Sequence, residues 1–280
     1  MWFFHTCSSQ LAWRASSVAS PIGMPPLTRS ASARTEESWW SQRVAWYPTG
    51  CFGPYRSPEV GYSRRELAAD AAVHLVGVVL GFVCGAALLL KVFETRECPS
   101  TVAFAVGIYV ASLLCMLCCS AAFNMLVARV PHRLWALQLA DHTGILLLIC
   151  GTYTPFLTVL CFWSTLAFVW TVGLVSFVAK ASRSALDVLP LHVCCFLAMG
   201  WAALAVWSDL RSAAPPRALA LAVLGGTIYS VGLVPWAVNR LEFHNAIWHV
   251  FVLVASGVFY VMIDGEVATP SAFWSAGCPQ

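Results

Sequence analysis

The residues able to do chemistry in this chain are few and regularly spaced. Asp70 and His74 are four apart, as are Ser120 and Asn124, and again Asn245 and His249. On a helix each such pair shares a face. Together with Asp141 they offer carboxylate, imidazole, amide and hydroxyl groups, which can ligate a cation, activate a water as general base, or hydrogen-bond a substrate. Other candidates have weaker spacing. His244 and His249 are five apart, about 140° around a helix, which makes a poor two-histidine clamp. His244 is expected at the membrane interface. His142 follows Asp141 but is turned about 100° from it, and neither it nor His192 has a partner by spacing, so both are expected to be structural. Cys115 and Cys118 form a CxxC inside an apolar run, with no second pair at zinc-ribbon spacing. There is no GxSxG elbow, no glycine-rich phosphate loop and no HExxH.

These polar residues lie within or beside long apolar runs. Of the 280 residues 59% are hydrophobic and only 10% charged, where a soluble domain is about a quarter charged. Runs near 20 residues, enough to cross a hydrocarbon core, fall at 71–91, 103–127, 139–160, 162–180, 189–207, 217–237 and 245–263. The reading is an all-α polytopic membrane protein, a bundle of seven transmembrane helices in a lipid bilayer. The boundary near Thr158 and Ser164 is the least marked. Residues 61–265 form this domain. Residues 1–60, punctuated by Pro and Gly and carrying Arg14, Arg29 and Arg34 with no acidic residue in the first 35, read as a disordered tail with a transit-peptide-like composition. Residues 266–280 form a short second tail. The net charge of +3 is scattered rather than gathered into a basic face, so a nucleic-acid partner is excluded.

Basic residues set the orientation. With the amino terminus inside, the inner loops hold Arg56, Arg64, Arg65, Arg129, Arg133, Lys180, Arg183 and Arg240, against Lys91, Arg96, Arg211 and Arg217 outside. The amino terminus is therefore expected in the cytoplasm. Asp70, His74, Asn124, Asp141, Asn245 and His249 then come to one depth, in the cytoplasmic half of four different helices. Single polar residues often tie membrane helices together. A whole set at one depth points to a site, because polar groups in lipid are costly.

Four segments carry a family resemblance: ELAADAAVHLVGVVLG at 66–81, CCSAAFN at 118–124, LADHTGILLLICGTYTPFL at 139–157 and NAIWHVFVLVASGVFY at 245–260. They resemble the hemolysin III branch of the progestin and adipoQ receptor family. The resemblance implies seven helices, an inside amino terminus and a zinc site. That site has SxxxH on the second helix, Asp on the third and HxxxH on the seventh. Ser120, Asp141 and His249 match, whereas Asn124 and Asn245 stand where the family has histidine. An amide oxygen is a much weaker zinc donor than imidazole, so zinc held by His249, Asp141, Asn124 and Asn245 is expected to bind less tightly. Two functions are open. One is a lipid amide hydrolase resembling the alkaline ceramidases of the superfamily, with Asp141 as general base and Ser120 positioning a water. The other is a receptor or lipid-binding protein with a metal-free polar network. A pore-forming protein is a third, with little support from the mostly apolar spans.

Overall fold

The structure is a computed structural model that describes residues 62–126, 133–183, 186–238 and 240–269. The expected amino-terminal tail, and the carboxyl-terminal residues from 270 on, lie outside them. Every regular element among the described residues is helical. Seven helices are long and apolar enough to cross a membrane: α1 (Arg64–Glu94), α2 (Ser100–Leu126), α3 (Leu134–Val159), α4 (Trp163–Ala181), α5 (Leu189–Ala213), α6 (Pro216–Ala237) and α7 (His244–Val267). The chain is an integral, multi-pass membrane protein.

Helix ends follow local chemistry. Ser63 caps α1: its hydroxyl accepts from the Glu66 backbone N–H, and the Glu66 carboxylate accepts from the Ser63 N–H, which satisfies two backbone donors. The first turns of α1 are polar and therefore invisible to hydropathy. The α3–α4 turn falls at Leu160–Phe162, where Cys161 takes a left-handed φ of 61°. Cys161 is disulfide-bonded; the cysteines in the spans are free thiols. A 3-10 stretch at Ala202–Val206 interrupts α5. The Tyr153 hydroxyl on α3 bridges this break, donating to the Gly200 carbonyl (2.8 Å) and accepting from the Ala203 N–H (3.3 Å).

Small residues let α2 and α3 approach closely. A Cβ at Gly144 would stand 2.9 Å from the Met116 Cα, and one at Gly151, two turns on, 2.5 Å from the Ser112 Cβ. Close approach through small residues is a standard way for membrane helices to pack. Here it fixes the register that sets Ser120 of α2 against Asp141 of α3. Pro155, inside α3, offers no N–H to the preceding turn, and just before it the Thr152 and Thr154 hydroxyls donate to the Leu148 and Cys150 carbonyls of their own helix.

Candidate metal centre

The site lies at the end of the bundle where α1, α3, α5 and α7 begin. The α7 start is pinned to the α1 start by one side chain. Glu66, already engaged in the Ser63 cap, also accepts from the Phe243 backbone N–H (3.1 Å). Beside it the Tyr62 hydroxyl meets His244 Nε2 at 3.0 Å. His244 is fully buried at the start of α7, because this clamp covers it. One turn deeper, the i,i+4 faces of α1 and α7 oppose each other.

There Asp70, His74 and His249, all buried, bring one ligand atom each within 4.8 Å of one another. Asp70 Oδ1 accepts from His249 Nδ1 at 2.6 Å, and Oδ2 accepts from Asn245 Nδ2 at 3.1 Å. Asn245 Nδ2 also reaches Asn124 Oδ1 at 3.0 Å, and Asn124 Nδ2 donates to the Ser120 carbonyl. His74 stacks obliquely on His249, ring centroids 4.2 Å apart. Its Nε2 stands 3.6 Å from Asp70 Oδ2, too far for a hydrogen bond, and is buried without a partner. A buried polar atom left so costs on the order of 1–3 kcal/mol, unless something absent from the protein chain completes it. Two imidazoles and a carboxylate also form a donor set that suits zinc with a position left open. The residues present fit a metal.

The residues expected from sequence divide between two places. Asn124, Asn245 and His249 join Asp70 in one network. Asp141 lies outside that three-ligand group, against Ser120 and within electrostatic reach of His249, His74 and Lys180. Asp141, Asn124, Asn245 and His249 share the wall of a cavity of about 460 Å³. The cavity is lined mainly by apolar side chains and reaches Leu210, Phe259 and Met262 near the far ends of α5 and α7. That volume and lining suit a small-molecule or lipid-sized ligand.

A second buried group sits on the same cavity between α3, α4 and α5. Lys180 Nζ is 3.3 Å from Asp187 Oδ1, which is 3.0 Å from His192 Nε2; His192 Nδ1 is 3.0 Å from Ser176 Oγ, and His142 Nε2 is 3.4 Å from the same oxygen. The two histidines without a partner by spacing are thus partnered. Asp187 lies in the turn before α5, five residues before His192, so helical periodicity does not connect them. Only Ser176 and Lys180, four apart on α4, carried a legible signal.

Seven apolar helices around a buried carboxylate–imidazole group define a multi-pass membrane protein with a candidate metal centre at one end of the bundle. The haemolysin-III related family matches residues 65–260, and the chain belongs to that family. It is similar to "Hemolysin-3" of Bacillus cereus, 28% identical over 203 residues, covering 71% of this chain and 90% of that protein. It is also similar to the "Hemolysin-3 homolog" of Bacillus subtilis (strain 168), 29% identical over 207 residues, covering 72% and 94%.

Proposed function

We propose that this chain is a metal-dependent hydrolase acting on an amide-linked membrane lipid of the ceramide class, with Asp70, His74 and His249 holding the metal. The observation that carries the reading is the three buried ligand groups, one with an unpartnered nitrogen, of which His249 lines a largely apolar cavity. A bound zinc would supply Lewis-acid polarisation of a carbonyl and an acidified water. The chain's own part follows from position. Asn245 donates to Asp70 and to Asn124 Oδ1, and Asn124 is tied to the Ser120 carbonyl, so the amides hold one another and orient the carboxylate through Asn245 rather than compete for the metal. Asp141, beside Ser120, takes the proton from the attacking water, and the Ser120 hydroxyl positions that water. The apolar cavity wall binds the acyl chain and excludes bulk water. With the amino terminus inside, the reaction faces the cytoplasmic leaflet.

The test is fatty-acid release from ceramide by protein purified without a metal-affinity tag. Release is expected with about one metal per chain. Asp141→Asn keeps the metal and loses hydrolysis, while His74→Gln loses both. Metal-free protein with no hydrolysis sinks the reading. One observation favours a second reading, a metal-free receptor or lipid-binding protein: both Asp70 oxygens already accept hydrogen bonds from His249 and Asn245, and a fully paired network can stand alone. Under that reading strong chelators leave thermal stability unchanged.

A further inference from the structure

The buried group between α3, α4 and α5 has a direction. Asp187, ionised beside Lys180, can only accept, so the proton it shares with His192 sits on Nε2. Lys180 already balances that carboxylate, so a second cation on His192, buried to 3% exposure, would have no counter-ion. His192 is therefore neutral, and its bare Nδ1 accepts from the Ser176 hydroxyl. With its one proton committed, Ser176 Oγ has only acceptor capacity left for His142 Nε2. His142 thus carries its proton on Nε2, and Nδ1 is a bare lone pair.

A Ser–His–Asp series suggests a nucleophile, but position argues otherwise. Ser176 is 3% exposed and lies behind the two imidazoles, both of which line the cavity. It works as a bridge. What the series delivers to the cavity is the ring of His142, held edge-on to His192 (centroids 4.4 Å) and tilted against Phe196 (5.0 Å). Its Nδ1 makes no hydrogen bond among the described residues, and Asp141 is its neighbour in the chain.

We propose that His142 Nδ1 is a specificity-determining acceptor for an O–H or N–H donor in the head of an amphiphile whose chain lies along Ile145, Ile149 and Phe196. This rests on the reading that the cavity holds a lipid. A neutral imidazole of fixed tautomer favours a hydroxyl or amide N–H and gives nothing to an acceptor-only head. Sites built to hydrogen-bond a donor reject analogues lacking it, because the buried acceptor is then left unpaired.

The test compares ceramide with an analogue methylated on its amide nitrogen and hydroxyls, bound to full-length protein and read by native mass spectrometry. The wild type is expected to bind ceramide about tenfold tighter, the effect of one hydrogen bond to a buried group. His142→Phe, which keeps the ring packing, should bind both lipids alike, and its binding of the blocked analogue reports an intact cavity. His142→Gln, which restores an acceptor, should recover part of the preference. Equal binding of both lipids by the wild type, or a preference that survives His142→Phe, overturns this inference and leaves the lipid reading standing. Binding of neither lipid removes both. Independently of any lipid, imidazole 15N spectra should show His142 in the Nε2–H tautomer; the Nδ1–H tautomer overturns the proposal.

Discussion

Two groups of buried histidine and aspartate meet at one cavity, one through His249 alone and the other through Lys180, Asp187, His192 and His142, and they are built in opposite ways. Between α3, α4 and α5, each polar atom along the series from Lys180 to His142 Nε2 has a hydrogen-bonding neighbour, donor set against acceptor. Between α1 and α7 the groups converge, and His74 Nε2 ends without a partner. A series fixes tautomers and ring orientation. Convergence leaves lone pairs aimed at one place, which is what a cation requires. The same residue types thus serve orientation in one group and ligation in the other, and what separates them is satisfaction rather than composition.

Substitutions sharpen that contrast. The largest effect is expected for Asp70→Ala, which removes the acceptor of both His249 and Asn245. It should lower stability by about 3–5 kcal/mol, the range for breaking a buried charge pair, and abolish metal binding, as read by thermal unfolding and elemental analysis. His74→Gln should separate the two properties. Its Nε2 has no hydrogen bond to lose, so the apo protein should melt close to wild type. Metal affinity should fall at least about 100-fold, or roughly 2.7 kcal/mol. Asp187→Asn leaves Lys180 with a neutral partner. Because Asp187 is partly exposed, the cost should be about 2 kcal/mol, below that of a fully buried pair, with metal content unchanged. If Asp187→Asn lost metal, the two groups would not be independent. The smallest effect is Ser63→Ala, about 1 kcal/mol for a lost helix cap, with the metal retained.

The membrane fold was legible because lipid demands long apolar helices, and each of the seven expected runs corresponds to a helix with ends shifted by a few residues. The larger shifts have local causes. The polar capping box at Ser63 and Glu66 starts α1 seven residues before its apolar run, and the 3-10 break lets α5 continue to Ala213. Depth and four-residue spacing drew attention to Asp70, His74, Asn124, Asn245 and His249. Which of them touch was not legible, because Asp70 and His249 are 179 residues apart and spacing along one helix says nothing about rotation against another. The family resemblance directed attention to the two asparagines as missing ligands. In the structure they hydrogen-bond each other, and Asn245 holds Asp70, which meets His249 across the α1–α7 contact, a closeness that no spacing argument implied. The Asp187–His192–Ser176 series went unread because one member lies in a turn.

The most direct measurement is metal per chain, by elemental analysis of untagged wild type and Asp70→Ala protein side by side. About one zinc-like metal per wild-type chain, and none in Asp70→Ala, is the predicted result. Wild-type protein that holds no metal, and whose melting temperature is indifferent to chelator and to added zinc, would contradict the account.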